Sequence, residues 1–462
     1  MSLIEAEIAV IGGGMAGLPI ANKAAYKGRK TVLFEKELLG GTCLNRGCIP
    51  TKTMLHSAKV AHVVRTANRF GIEAGTPVVD LTAIVRRKNE VLTTIRKGAY
   101  RQVERNEHLT LIEEQTVFEA PNRLRAGDTV VEAERIIINT GARPTLPPID
   151  GLTDVPYHTN RMLLDATEVP ESLLVIGGGY VGVEFAQMFA RFGSEVTVLQ
   201  RPDRLLASED ADVSDVLLEV FRREGISVVL GADVQRAEKT AGGVRLEAMV
   251  DGARQVFEGS AILVAAGRTP NTDDLGLDVA DVETDERGFI TVDAAFRTSQ
   301  SHIWAIGDVT GGPMFTHSAR DDADLLYGRL FKDRSASSEG RQVPYAIFTD
   351  PEIAAVGLTE AAAREAGYDI KIGKHPFTRV ARARAIGETD GFVKIVADAE
   401  TDRLLGAQII GPHAGELIHE LILALDLGAS YERIGRSLHV HPTLSEGINS
   451  AAGGVHRPAG DT

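Results

Sequence analysis

Cysteine is the scarcest resource in this chain: 462 residues hold only Cys43 and Cys48. The first ten residues carry Glu5 and Glu7 and no basic start, so a secretory signal is not expected. Few cysteines and no export signal point to a reducing cytoplasm, where a disulfide is usually catalytic or redox-sensing. Long apolar runs are also missing. Nothing approaches the ~18 residues of a membrane span, because glycines and Glu184 interrupt the best candidates. Positive charge is in deficit, with a formal net charge of −14, which argues against the basic face a nucleic-acid partner needs. Neither nucleic acid nor membrane is therefore expected as a partner. What remains is an ordinary globular balance, 44% hydrophobic and 25% charged. The length suits roughly three domains.

Both cysteines fall in one stretch, Gly40-Gly41-Thr42-Cys43-Leu44-Asn45-Arg46-Gly47-Cys48-Ile49-Pro50-Thr51-Lys52. A disulfide closing so small a loop removes little unfolded-state entropy, so stability is a poor reason for it. Pro50 suits the first turn of a helix, where its missing N–H costs nothing. That puts Cys48 near a helix N-terminus, whose partial positive charge favours a thiolate. A redox pair and two inert buried thiols are both compatible with the stretch taken alone.

The N-terminal segment reads as a nucleotide-binding unit. Ile8 to Ile11 form an apolar strand, Gly12-Gly13-Gly14-Met15-Ala16-Gly17 supplies G-x-G-x-x-G, a helical segment runs to about Lys27, and a strand Thr31–Phe34 ends in Glu35. The glycines (Gly12, Gly14 and Gly17) let the backbone approach a pyrophosphate at a helix start, and the acid can hold a ribose hydroxyl. The same unit recurs 165 residues on. Leu173 to Ile176 lead into Gly177-Gly178-Gly179-Tyr180-Val181-Gly182, and the offset places Glu35 on Gln200, followed by Arg201 and Arg204. An acid would repel a 2′-phosphate, whereas guanidinium groups bind one. The expectation is FAD in the first unit and NADPH, in preference to NADH, in the second. Solvated surface charge is the other reading of the two arginines.

Each unit has an echo downstream. Arg135 to Pro144, containing Thr140 and Gly141, and Ala261 to Pro270, containing Gly267, are both apolar strands ending in G-x-x-P. A third strand end, Ile303-Trp304-Ala305-Ile306-Gly307-Asp308, puts Asp308 where open α/β sheets bind ligands; a simple turn aspartate fits equally. The order suggests nesting: a first nucleotide domain over 1–149, a second over 150–269, a return to the first over 270–340, and a final domain over 341–462. Ser335–Gly340 reads as a linker.

In the last third, strands are expected over 343–348, 391–396 and 404–410, with helices over 359–366 and 415–427. The second helix is apolar around much of its surface, which suits a dimer interface or a domain core. Glu416-x-x-His419 has the helix spacing of a carboxylate-bridged metal site, but such sites need a second pair, so it reads as surface or interface polarity and no metal site is assigned. His441-Pro442-Thr443-Leu444-Ser445-Glu446 is more informative. His441 suits an acid/base role with Glu446 fixing its tautomer. A metal pair at His439 and His441 and a merely structural histidine are the competing readings.

Together these motifs resemble the flavin-dependent pyridine nucleotide–disulfide oxidoreductases, a family that includes dihydrolipoamide dehydrogenases and mercuric reductases. The resemblance runs from Ile8 to about Ala452 and rests chiefly on 40–52 and 441–446. It implies an α/β fold with two Rossmann-like domains, for FAD and NAD(P), a central domain and a C-terminal α+β dimerisation domain. It implies that Cys43 attacks a substrate disulfide, and that Cys48 lies against the flavin as a thiolate. Lys52 would sit beside flavin N5 with Glu184 as its ion-pair partner, and Asp308 would bond the ribityl chain. The resemblance also implies a homodimer in which His441 and Glu446 serve the partner subunit's site.

The substrate is only partly narrowed. Asn22 and Lys23 replace an arginine pair of glutathione reductases, and no third cysteine supplies the C-terminal thiol relay of mercuric reductases. Yet Thr51 to His56 and the run from Phe377 to Glu388 look closer to mercuric-reductase-like proteins than to dihydrolipoamide dehydrogenases. The expected activity is NAD(P)H-dependent reduction of a small disulfide. Reduction of a soft metal ion such as Hg(II) or Cu(II), and a non-catalytic flavoprotein that senses nucleotide redox state, are the alternatives.

Overall fold

The computed structural model describes residues 2–458 apart from 333 and 336. The first sheet is built on Ser2–Ile11, whose apolar half Ile8-Ala9-Val10-Ile11 is buried. It pairs in parallel with Thr31–Phe34 on one side (Ile8 opposite Thr31) and Thr129–Ile138 on the other (Ile8 opposite Arg135). The strand starts earlier than its apolar run predicts, because Ser2 to Ala6 pair with Thr129 to Ala133. Leu109–Ile112 extends the sheet beyond Thr31–Phe34, and Ile303–Ala305 joins it beside Ile136 to Ile138. The chain thus comes back to its first sheet some 165 residues after leaving it.

The second unit repeats this arrangement. Its five strands, all parallel, run in the order Ser227–Leu230, Glu195–Gln200, Ser172–Ile176, Ala261–Val264, Tyr157–His158. Consecutive short parallel strands joined by helices bury both faces, which is why they read as unbroken Val, Ile and Leu. An antiparallel meander, Asp233–Thr240, Gly243–Val250 and Ala253–Gly259, covers one side of it. The sequence reading did not separate this meander from the nucleotide unit.

Two long helices, Cys48–Arg65 and Leu81–Glu104, follow, of which the sequence pattern marks only the start of the first, at Cys48 and Pro50. Asp80 caps the second by accepting from the Ala83 N–H at 2.9 Å. The first packs Met54 and Ala58 into the core that also holds Phe185 and Phe189 of the helix Tyr180–Phe192. That packing brings the cysteine stretch against the second nucleotide unit.

The last third is a five-stranded antiparallel sheet in the order Tyr345–Ile347, Glu352–Gly357, Leu404–Gly411, Phe392–Asp398, Ile370–Pro376. Helices Ala414–Asp426 and Glu446–Gly453 cover it through Ile418, Leu421 and Ile448. The fold is α/β with two Rossmann-like units and a C-terminal α+β part. Of the expected linker Ser335–Gly340, Ala336 lies outside the described residues, and the remainder carries no helix or strand.

Arg191 ties the second unit to this last sheet. It is 6% exposed and reaches Glu224 at 2.6 Å and Asp350 at 2.9 Å. Burial would raise the Asp350 carboxyl, but Arg191 and Lys59 outweigh it and hold it below the usual range. Removing one member of a buried ion network leaves the others uncompensated, at a cost of about 3–5 kcal/mol. Arg191→Met is expected to lower the apparent melting temperature by several degrees; an unchanged thermal unfolding curve would contradict this.

Candidate active site

The two glycine loops have the same internal geometry. Gly12 takes φ +103°, and a Cβ there would lie 2.3 Å from the Asn139 carbonyl oxygen; Gly177 takes φ +106° for the same reason. A Cβ on Gly17 would lie 1.9 Å from the Gly12 oxygen, and one on Gly182 as close to Gly177. Only glycine permits helix and strand to approach this closely. Asn139 braces the first loop: its Oδ1 accepts from the Gly17 N–H at 2.8 Å, and its Nδ2 donates to the Ile306 carbonyl at 2.8 Å. The sequence reading passed over Asn139, although it stands directly before Thr140.

The predicted acid and its counterpart hold the loops in turn. Glu35 Oε2 accepts from the Gly13 N–H at 2.9 Å, and Gln200 Oε1 from the Gly178 N–H at 2.7 Å. Burial raises the Glu35 carboxyl above its usual range. Arg201 is exposed and Arg204 is partly exposed, with its Nε 3.3 Å from Asp203.

A cavity of about 1720 Å³ opens beside the first loop. It is larger than the ~300–1,000 Å³ of an ordinary small-ligand site. Gly12, Gly14, Glu35, Cys43, Cys48, Lys52, Thr140, Gly141, Tyr180, Glu184, Gly267 and Asp308 all line it. Gly17, Gly177, Gly179, Gly182, Arg201, Arg204, His441 and Glu446 do not. Two wall atoms, Thr140 Oγ1 and Arg268 Nε, are buried without a partner among the described residues. Buried polar atoms are normally satisfied, so these mark where a polar ligand seats. Asp308 faces Arg268 at 3.6 Å; burial raises its carboxyl and Arg268 opposes that. A wall of glycine backbone, unpartnered polar atoms and a buried acid fits a dinucleotide such as FAD.

Cys43 lies in the short helix Gly41–Asn45, and Cys48 opens the helix Cys48–Arg65. Both are free thiols. They are chemically unequal. The Cys43 thiol donates to Cys48 and this, with burial, raises Cys43 well above the usual thiol range. The same bond lowers Cys48 to about 6, against burial and with help from Thr316 and Lys52. Thr316 Oγ1 stands 3.4 Å from Cys48 Sγ, a partner no short motif in the sequence reveals. Lys52 Nζ reaches both Glu184 oxygens at 2.8 Å and lies 4.7 Å from the Phe348 ring centroid.

His441 Nδ1 is 2.9 Å from Glu446 Oε1, which holds the Glu446 carboxyl below its usual range. His441 is exposed and Glu446 partly so, and both lie outside the cavity wall. His439 has both ring nitrogens engaged, Nδ1 with the Ser437 carbonyl at 2.9 Å and Nε2 with Glu420 at 3.0 Å, which leaves neither free for the metal pair. Glu416 and His419 are exposed and border the cavity. Among the described residues no group of three acidic, histidine or cysteine side chains is placed to hold a metal.

Residues 6–323 match the pyridine nucleotide-disulphide oxidoreductase profile. The chain belongs to that family. Residues 343–452 match the family's dimerisation domain. As members do, this flavoprotein uses FAD and a pyridine nucleotide to carry out disulfide oxidoreduction. A dihydrolipoyl dehydrogenase of Thermus scotoductus is 39% identical over 461 residues, covering 98% of both chains. A mercuric reductase of Lysinibacillus sphaericus is 35% identical over 446 residues, 96% of this chain and 82% of the relative. The Cu(II) complex of the HOCl-induced flavoprotein disulfide reductase RclA from Escherichia coli superposes with a TM-score of 0.87 at 34% identity, over 96% of this chain and 98% of RclA. Among the described residues, no helix is long and apolar enough to cross a membrane.

The two loops should be separable by mutation. Gly17→Ala forces its Cβ onto the Gly12 oxygen and is expected to yield protein with little bound flavin. Gly182→Ala is expected to keep the flavin but raise KM for the pyridine nucleotide at least tenfold, about 1.4 kcal/mol. Flavin absorbance per chain and initial rates decide it. A flavin-free Gly182→Ala enzyme would overturn the assignment.

Proposed function

We propose that this enzyme reduces a small disulfide at the expense of NADPH, with Cys43 as the residue that meets the substrate and Cys48 as the resident thiolate. The observation that carries the reading is the inequality of the two thiols beside the Lys52–Glu184 pair, in one cavity with the first nucleotide loop. Bound FAD supplies two-electron transfer between the pyridine nucleotide and the cysteine pair. Gly12, Gly14, Glu35, Thr140, Gly141 and Asp308 would hold it, and Gly177, Gly179, Tyr180, Gly182 and Gly267 would serve the nicotinamide nucleotide. Lys52 keeps a cation beside Cys48.

The chemistry at sulfur then follows from protonation. The Cys43 thiol loses its proton to a base and attacks one sulfur of the substrate disulfide, so one S–S bond breaks and a mixed disulfide forms. The displaced thiolate takes the proton from that base. Cys48 thiolate next attacks Cys43 sulfur, breaking the mixed disulfide, releasing the second half of the substrate as a thiolate and closing Cys43–Cys48. The base we assign is the partner subunit's His441, oriented by its Glu446. The exposed apolar residues Leu438 and Val440, next to His441 in the chain, support a homodimer. The nested domains 1–149 with 270–340, 150–269 and 341–462, and a cytoplasmic location, belong to the same reading.

For the nucleotide, neutral Gln200 and the exposed Arg201 favour a 2′-phosphate. Replacing Arg201 and Arg204 together with alanine is expected to raise KM for NADPH about tenfold and leave NADH unchanged. A parental preference for NADH would refute the choice. The mercuric reductase relative, and the Cu(II) complex of RclA, favour a second reading in which a soft metal ion meets Cys43 and Cys48.

Parallel assays with lipoamide, glutathione disulfide, Hg(II) and Cu(II) separate the two. Cys43→Ser should abolish disulfide turnover while NADPH still bleaches the flavin; persistent turnover would sink the role of Cys43. Because Cys48 is lowered to about 6, thiolate is present above that pH and lost below it, so disulfide reduction should fall as pH drops through about 6. Refolding equal amounts of Cys43→Ser and His441→Gln chains together should recover about a quarter of wild-type activity, since half of the C2 dimers are mixed and each carries one intact site. No recovery would place the base within one chain.

A further inference from the structure

We propose that Glu209 is a positioning residue for the redox pair: acting through Tyr345 and Phe315, it fixes the Thr316 hydroxyl against the Cys48 sulfur. The inference rests on the reading of Cys48 as the resident thiolate. Glu209 is 3% exposed and lies just before the helix Ala211–Arg223, distant in sequence from the cysteines. Its carboxylate accepts from the Tyr345 hydroxyl at 2.8 Å to each oxygen, from Gln408 Nε2 at 3.1 Å and from the Tyr180 hydroxyl at 3.3 Å. A carboxylate so occupied has little acceptor capacity left for a ligand, so it organises its neighbours and does not itself act on substrate.

What it organises is a stack of rings on the cavity wall. Phe315 lies parallel to Tyr345, with centroids 5.5 Å apart and planes 3° apart, and against Tyr180 at 6.1 Å. Its remaining neighbour is His317 at 5.5 Å, whose Nε2 bonds the Pro344 carbonyl. The residues on both sides of Thr316 are therefore clamped, and Thr316 is the first residue of its helix. Both tyrosines that grip Phe315 have one anion in common. Without that anion the rings lose a shared register, and a hydroxyl 3.4 Å from sulfur is a contact that small displacements break. The other groups facing Cys48 are Cys43, Lys52 and Glu184, and Glu209 bonds none of them.

The test measures sulfur reactivity in the reduced, flavin-loaded enzyme, in a Cys43→Ser background so that only Cys48 is alkylated. The rate of iodoacetamide modification is followed from pH 5 to 9 and the site located by mass spectrometry. Thr316→Val should slow alkylation at pH 6.5 roughly tenfold, the size of a hydrogen bond to an ionised group. Glu209→Ala and Tyr345→Phe should each slow it roughly threefold, and Glu209→Gln, which keeps the volume, should fall between wild type and alanine. Added to Thr316→Val, Glu209→Ala should cause no further loss, because both act through one contact. Equal slowing by Glu209→Ala with and without Thr316, or wild-type profiles in both Glu209→Gln and Tyr345→Phe, would overturn the proposal. A parent in which Cys48 titrates as an ordinary thiol would sink the thiolate reading itself, and the proposal with it.

Discussion

The Lys52–Glu184 ion pair is where three separate parts of the chain meet. Lys52 lies one helical turn after Cys48, so the cation and the sulfur share a face of the same helix. Glu184 lies in the first turns of the second nucleotide unit's leading helix, and its Oε1 also accepts from the Phe348 N–H at 2.8 Å, beside the last sheet. Glu184 is 7% exposed, and taking such a charge out of water is costly unless its acceptor sites are filled. Here they are, by an ammonium and a backbone donor. The Phe348 ring beneath Lys52 covers the cation's other side. Moving any one of the three parts strands a buried charge, so this contact, with the packing of Met54 and Ala58 beside it, holds the cysteine pair against the second nucleotide unit.

The duplicated units show how one scaffold is given two uses. Each needs an acceptor for the glycine-loop N–H, and a carboxylate oxygen and an amide oxygen fill that role equally, at 2.9 and 2.7 Å. The difference lies in the second polar atom. Glu35 Oε1 accepts from the Glu37 N–H, whereas Gln200 Nε2 donates to the Arg204 carbonyl at 3.0 Å. The amide thus removes a negative charge and also pins the turn that carries Arg201 and Arg204. One substitution changes both the field and the shape of the second loop.

Much of this was legible in order along the chain. The glycine spacing, the strand-ending acid and the paired cysteines each combine a local backbone demand with a local chemical one, so sequence alone exposes them. Asn139, Thr316 and Tyr345 are different. Asn139 bonds a glycine 122 positions away, and Thr316 reaches a sulfur 268 positions away. Their residue types are ordinary in any strand end or helix start, and only the tertiary fold gives them partners. The meander over Asp233–Gly259 and the helix Leu81–Glu104 were missed for another reason. Neither carries chemistry, and their patterns identify elements without placing them.

The location of the proton carrier has the largest consequence. Raising Cys43 while lowering Cys48 creates a good resident thiolate and a poor nucleophile in one step, so Cys43 must be deprotonated during attack. Of the histidines on the cavity wall, His317 has its Nε2 engaged with Pro344, and His419 has no carboxylate to orient it among the described residues. The described histidine–carboxylate pairs are His439–Glu420 and His441–Glu446, and both belong to the C-terminal part, where Leu438 and Val440 stand exposed between and beside them. On the proposed reading, a chain that carries its base outside its own cavity cannot complete a turnover alone. The exposed apolar surface then does more than stabilise a dimer: covering it is the same event that delivers the base to Cys43, so assembly and catalytic competence are one equilibrium.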